Sequence, residues 1–404
     1  MITRRGFIKT LGAMGAGLAG WPLNLYGARQ GLAQGQRYFI PPTLQHISEN
    51  SATLYFRLAE RTQNGRILVW LGDELAQEIP FSTPDDSVRV QMTLEDLQPA
   101  STYRYQILVD EAELPYLDSP TAWNELQFST PPYEFPLRVG AIGDSGFGHA
   151  STYELGRQMA SHEPDLFLHL GDVVYFMHEY ENNHWVNWQQ KYFLPFHTML
   201  QQIPHLPTFG NHELDGPAFL DDIPSYYWMF PPLTETEQYN GSRMWYSVDI
   251  NGIQFLSLNS QLFYSYPNLR QAQEDWLDAK LARTDVLYTV PFFHITPFTS
   301  SAPHQWDGIY VAEQWSPKFE AAKVPVVLCG HAHVYERSQH NGVPYITAGA
   351  GSDTLYGEGE RIPQTVLMWR LTSYPILDFY PDRIELMAYS LDGSILDEAR
   401  IPIT

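Results

Sequence analysis

Five short stretches of the chain offer oxygen and nitrogen donors in chain order. They are Gly143-Asp144-Ser145-Gly146, Gly171-Asp172-Val173-Val174-Tyr175, Gly210-Asn211-His212-Glu213, His294 behind the apolar run 290–293, and Gly330-His331-Ala332-His333. Carboxylate, amide oxygen, phenol and imidazole together suit hard or borderline cations such as ferric iron, zinc or manganese. Gly-Asp alone is common, and a lone histidine more often packs than ligates. Five such stretches in order, each closing an apolar run, form a set that packing does not explain.

The surrounding pattern says what must position them. From Leu137 onward, apolar strands ending in glycine-containing turns alternate with helical segments. Strands are predicted over 137–142, 166–170, 206–209, 290–293 and 324–329, and helices over 153–161 and 271–283, the latter carrying Trp276, Leu277 and Leu281. Asp392-Gly393 marks a hairpin. The expectation is a layered α/β sandwich with its site at the carboxyl ends of the strands. In four of the five stretches a glycine before the first donor would let the backbone turn sharply. His331 and His333, two apart on an extended segment, would face the same way.

Residues 38–132 read differently. Short strands are predicted over 52–58, 66–71, 88–94 and 102–109, separated by Asp, Pro, Gly and Ser clusters. No helical period appears, so this part is expected to be an all-β sandwich. Tyr103, Tyr105, Ile107 and Val109 would face one side, Arg104 and Gln106 the other. Leu97-Gln98-Pro99 followed by Tyr103 resembles the tyrosine-corner region of fibronectin type III domains. Pro131-Pro132 cannot extend a central strand and sets the boundary.

At the N-terminus, Thr3-Arg4-Arg5-Gly6-Phe7-Ile8-Lys9 precedes a modest apolar run over 11–21. This resembles a twin-arginine export signal. Residues 1–33 would be that signal, with cleavage after Ala28 or Ala33 and a periplasmic or secreted product. No stretch reaches the ~20 apolar residues of a membrane helix. The formal charge of −22 disfavours polyanionic partners, so neither nucleic acid nor an acidic membrane is expected. A small phosphate ester remains possible where bound cations dominate the local field. The single cysteine, Cys329, excludes an intrachain disulfide and reads as a buried strand residue.

The ordered donor set is similar to the signature of the metallophosphoesterase (calcineurin-like) superfamily. Tyr175 narrows the resemblance to the purple acid phosphatases, over nearly the whole chain beyond the signal. Gln273, Trp276 and Leu277 echo a helix motif of that family. The resemblance implies a multidomain chain: a fibronectin type III-like sandwich at 38–132, then a four-layer α/β/β/α catalytic domain at 137–404. It implies two metal ions. Asp144, Asp172, Tyr175 and His333 would hold the first, ferric iron in the family. Asp172, Asn211, His294 and His331 would hold the second (iron, zinc or manganese), with Asp172 shared.

The implied activity is a metal-dependent phosphatase acting on small phosphomonoesters, through in-line attack by a hydroxide that the metals hold. His212 would contact the phosphate as charge builds, and His304, ten residues beyond His294, would donate a proton to the leaving alkoxide. The family often has two adjacent histidines there, whereas Pro303 precedes His304 here. A phosphodiesterase acting on cyclic nucleotides or phospholipid head groups would share these ligands, and the loops 217–239 and 300–306 would decide between them. A non-catalytic surface binding protein is the reading from another class, and an intact His212 argues against it. His169 reads as a core residue, His178 and His184 as surface-loop residues, and Tyr226-Tyr227-Trp228 as packing. Gly349-Ala350-Gly351 lacks the lysine and spacing of a phosphate-binding loop.

Overall fold

Eight short strands come first: β1 (Tyr38–Ile47), β2 (Ala52–Leu58), β3 (Gly65–Leu71), β4 (Glu74–Phe81), β5 (Arg89–Leu94), β6 (Thr102–Val109), β7 (Ala112–Glu113) and β8 (Gln127–Ser129). They form two sheets, one ordered β1-β2-β5, the other β4-β3-β6-β7 with β8 also on β6. Strict alternation on β6 buries Tyr103, Tyr105, Ile107 and Val109 and turns Arg104 and Gln106 outward. These side chains meet Leu54, Phe56, Ile67 and Val69 in a core of their own. Tyr103 Oη accepts a hydrogen bond from the backbone N–H of Gln98 at 2.7 Å, pinning the corner before β6.

The computed structural model of the chain describes residues 38–83, 88–113, 126–176, 184–214, 230, 244–263 and 267–403. The expected export signal, His178 and the Tyr226-Tyr227-Trp228 cluster lie outside the described residues.

Beyond Ser129 the strands are β9 (Leu137–Ile142), β10 (Leu166–His169), β11 (His205–Pro207), β12 (Tyr246–Ile250), β13 (Ile253–Ser257), β14 (Tyr288–Ile295), β15 (Val327–Gly330), β16 (Tyr335–His340), β17 (Val343–Ala348), β18 (Thr365–Trp369), β19 (Ser373–Phe379), β20 (Arg383–Ser390) and β21 (Ile395–Pro402). The helices are α1 (Ala150–Ala160), α2 (His184–Trp188), α3 (Leu194–Leu200), α4 (Pro267–Leu281), α5 (Ile309–Gln314) and α6 (Ser316–Ala321). One sheet has the order β11-β10-β9-β19-β20-β21, the other β12-β13-β14-β15-β17-β16-β18.

Period-two burial explains how they stack. Leu137, Val139, Leu166 and Leu168 of the first sheet join Val290, Phe292 and Leu328 of the second in one core between the sheets. Their neighbours Ile142, Phe167, Phe293, Val327 and Cys329 point the opposite way, among helical Leu155, Met159, Trp276, Leu277 and Phe319. Each sheet thus carries helices on its outer face, which gives four layers. Strands β9, β10 and β11 run parallel in one sheet, as do β13, β14, β15 and β17 in the other. Both sheets therefore deliver carboxyl ends to the same rim.

The sandwich is packed onto this body. Tyr105 Oη donates to the Gln201 carbonyl at 2.7 Å, and Tyr55 stacks on Phe193 at 6.3 Å. Asn251 exchanges two hydrogen bonds of 2.8 Å with the backbone of Tyr133.

Candidate metal centre

All seven expected ligands come together at the rim. Asp144 follows β9, Asp172 and Tyr175 follow β10, and Asn211 follows β11. His294 ends β14, and His331 and His333 follow β15. Asp144, Asp172, Tyr175, His294, His331 and His333 are buried, while Asn211 is half-buried.

The strand-end glycines act differently from their expected role. Of the four, only Gly171 has a left-handed φ, +89°. The expected ligands themselves carry the strained backbone: φ is +58° at Asp144, +53° at Asp172, +72° at His331 and +41° at His333. Gly210 instead makes room, because a Cβ there would run into the Asp172 carboxylate. The 331–334 stretch is bent rather than extended. The two histidines consequently serve different clusters, and the expectation that they face one way fails.

In the first cluster the Tyr175 phenol oxygen lies 3.1 Å from Asp144 Oδ1 and 2.9 Å from His333 Nε2, and His333 Nε2 is 3.3 Å from Asp144 Oδ1. In the second, His294 Nε2 lies 3.1 Å from Asn211 Oδ1, 3.3 Å from Asp172 Oδ1 and 3.2 Å from His331 Nδ1. Asp172 belongs to both, since oxygen and nitrogen donors of Asp144, Asp172 and His333 also lie within 4.8 Å of one another.

The donor chemistry fits metal ions. His294 Nδ1 donates to the Leu170 carbonyl at 2.8 Å and His333 Nδ1 to the Thr354 carbonyl at 2.6 Å. In a neutral imidazole so fixed, Nε2 presents a lone pair. His331 uses its Nε2 proton on Asp307 Oδ2 at 3.0 Å, so its Nδ1 also presents a lone pair. Acceptors therefore face acceptors, and one proton on His294 can satisfy only one of them. Among the described residues no lysine or arginine pairs with Asp144 or Asp172, only histidines do. Buried carboxylates need a counter-charge. With none but protons to hand, burial pushes His294 down, yet Asp172 and Asp144 outweigh it and raise it to about 10. Burial, then Asp144 and Asp172, push the Tyr175 phenol well above its usual range. A cation at each cluster would reverse both tendencies.

His212 lies over the shared carboxylate. Its backbone N–H donates to Asp172 Oδ1 at 3.0 Å, its Nε2 stands 4.0 Å from Asp172 Oδ2, and its side chain is 26% exposed. His304 sits half-buried at the end of a short turn, its ring 4.1 Å from that of His331. His169 is a core residue as expected, with Nε2 2.8 Å from Ser145 Oγ. Gly349 and Gly351 pack against the Asp144 carboxylate and the Gly143 carbonyl, with no sign of a phosphate cradle.

Three supporting groups escaped the sequence reading. The buried Glu213 carboxylate accepts backbone N–H groups from Asp172, Val173, Val174 and Gly210, tying two ligand-bearing strand ends together. Burial and the charge of Asp172 raise it to about 7. Asp307 Oδ2 accepts from His304 Nδ1 at 2.7 Å as well as from His331. Burial acts to raise its carboxyl, but the hydrogen bonds from His304 and His331 hold it well below the usual range. Phe147 stacks on Tyr175, with ring centres 3.8 Å apart. Further out, buried Glu336 accepts from the Ser300 N–H and the Thr299 and Thr365 hydroxyls, fixing the stretch that leads to His304.

Comparison with known proteins agrees with this geometry. Residues 137–335 match the family model described as calcineurin-like phosphoesterase. That part of the chain is a calcineurin-like phosphoesterase domain, and its curated relatives are purple acid phosphatases. Purple acid phosphatase 22 of Arabidopsis thaliana is 29% identical over 53% of this chain and 48% of its own length. The Fe(3+)-Zn(2+) purple acid phosphatase 12 of the same plant is 27% identical over 59% of this chain and 53% of its own. The chain thus spans about half the length of the curated relatives it matches. The fold is also that of the purple acid phosphatase PPD1 from yellow lupin (Lupinus luteus) seeds, with a TM-score of 0.69, 16% identity, and coverage of 91% of this chain and 74% of that one.

Proposed function

We propose that the chain is a dinuclear-metal phosphatase that releases phosphate from small phosphomonoesters, in the manner of a purple acid phosphatase. The observation that carries this reading is the pair of lone-pair clusters sharing Asp172. In it, Asp144, Asp172, Tyr175 and His333 hold ferric iron. Asp172, Asn211, His294 and His331 hold a divalent iron, zinc or manganese ion. The name of the Fe(3+)-Zn(2+) relative supports such a pair. Two cations so bound supply Lewis-acid stabilisation of phosphoryl oxygens and a deprotonated water near neutral pH.

The remaining steps belong to protein groups. His212, beside the shared carboxylate and partly open, donates to the phosphoryl oxygen that gains charge. His304 has its Nδ1 fixed on Asp307, which leaves Nε2 to protonate the departing oxygen. Asp307 thereby fixes the orientation of the ring that this role requires.

Two finer readings accompany it. Residues 38–132 are read as fibronectin type III-like, supported by the strand orders β1-β2-β5 and β4-β3-β6 and by the Tyr103 corner. Residues 1–33 are read as a twin-arginine signal for export to the periplasm or beyond, supported by Arg4-Arg5 and the following apolar run. Normal export after joint Arg4→Lys and Arg5→Lys replacement would remove that reading.

The test of function compares an aryl phosphate monoester with a bis-aryl diester on metal-loaded protein. Faster monoester turnover is expected. Preference for the diester would replace phosphatase by phosphodiesterase, and hydrolysis of neither would overturn the catalytic reading.

A further inference from the structure

The rings covering the first cluster differ in one respect. Phe147 lies on Tyr175, and Tyr356 lies on His333, with centres 4.1 Å apart and planes 17° from parallel. Phe147 offers only a ring, whereas Tyr356 adds a phenol. The Tyr356 ring is also 4.9 Å from that of His304. The side chain is thus packed between a donor of the first cluster and the expected leaving-group histidine. Its loop is held in place: the Tyr356 N–H reaches the His333 carbonyl, and His333 Nδ1 reaches the Thr354 carbonyl.

Tyrosine hydroxyls elsewhere in the fold are of both kinds: that of Tyr192 is buried without a hydrogen-bond partner, whereas several others are paired. Tyr105 donates to Gln201, Tyr246 to Pro207, Tyr288 to Tyr380 and Tyr335 to Asp397. The half-buried Tyr356 hydroxyl has no hydrogen-bond partner among the described residues. Stacking on His333 would be served equally by phenylalanine, and the Tyr356 hydroxyl, which is not among the fully buried unpaired groups, stays open to a ligand. The hydroxyl is a donor held between the two places that a phosphate ester must touch.

We propose that Tyr356 is a substrate-binding residue whose O–H donates to a non-bridging oxygen of the bound phosphoryl group, on the side between His333 and His304. This rests on the phosphatase reading above. The ring packs on His333, and the hydroxyl adds one hydrogen bond to the bound phosphate.

The experiment uses metal-loaded wild type, Tyr356→Phe and Tyr356→Ala. It measures inorganic phosphate binding by calorimetry, kcat and KM for an aryl monoester, metal content and visible absorption. Tyr356→Phe is expected to keep two metals and an unchanged spectrum. It should bind inorganic phosphate about tenfold more weakly and lose a similar factor in kcat/KM, as expected for one hydrogen bond to a charged group. Tyr356→Ala should lose as much phosphate affinity and also change the absorption, because His333 is uncovered. If wild type binds and releases phosphate and Tyr356→Phe matches it in both, the proposal is overturned while the phosphatase reading stands. If metal-loaded wild type neither binds phosphate nor hydrolyses esters, the phosphatase reading fails and takes this proposal with it.

Discussion

His294 and His331 point nitrogen to nitrogen, with Nε2 of the first 3.2 Å from Nδ1 of the second. Each has committed its other nitrogen, His294 to the Leu170 carbonyl and His331 to Asp307. Asn211 Oδ1 and Asp172 Oδ1 face the same His294 nitrogen. A single cation can be shared by all four groups, whereas a single proton cannot.

Tyr175 and His212 should separate spectrum from turnover. A phenolate on ferric iron absorbs visible light, so iron-loaded protein is expected to be pink to violet. Tyr175→Phe keeps the ring stacked against Phe147 but removes the ligand oxygen, and should lose the colour while staying folded. His212→Ala should keep colour and metals but lose roughly 10²–10³-fold in kcat, the usual effect of losing one stabilising donor. Colourless iron-loaded wild type would remove Tyr175 from the ligand set, and normal turnover by His212→Ala would remove His212 from the chemistry.

Asp307→Asn should act through two histidines at once. Affinity for the second metal is expected to fall 10–100-fold, as when the outer partner of a ligating histidine is lost. At saturating metal, alkyl phosphates should lose more rate than aryl phosphates with good leaving groups, because only poor leaving groups depend on the proton from His304. A rate series across leaving groups checks this, and equal loss throughout would show that Asp307 does not serve His304.

Acid should weaken the fold through histidines buried without charge. Burial pushes His205 on β11 from 6.5 down to about 3. The folded form resists protonation, so this contribution is full above pH 6.5 and is lost as pH falls towards 3. The loss over that window is on the order of 4 kcal/mol. Urea midpoints at pH 7 and pH 4 should differ clearly in wild type and by less in His205→Leu. An unchanged pH dependence in the variant would show that His205 does not titrate on unfolding.

The seven donors that meet at the rim were legible because each lies at or after a strand end, where an apolar run, a turn and a donor are adjacent in sequence. What they touch was less so. Asp307 lies three residues beyond His304, but its meaning depends on His331, brought beside it by β15. Glu213 stood inside a quoted stretch, yet an acid after a turn reads as solvated until four N–H groups from two strand ends are seen to converge on it. The glycines were assigned backbone freedom, when at Gly210 the lack of a side chain is what counts. In the sandwich, β1 was missed because Pro41-Pro42 interrupts it, which an edge strand tolerates. β4, the other sheet's edge, was missed because Glu74, Leu75, Ala76, Glu78 and Pro80 are exposed and leave little alternation to read.

The central claim is a shared two-metal site that hydrolyses phosphate esters, and one titration tests it most directly. Metal content and phosphate release are followed on the same samples as metal-free protein takes up ferric iron and then zinc. Release from an aryl monoester should rise to a plateau at two metals per chain. Asp172→Asn should fail to hold either ion firmly, and His331→Ala should retain mainly the first. A plateau at one metal per chain, or full loading and full turnover in Asp172→Asn, would contradict the account.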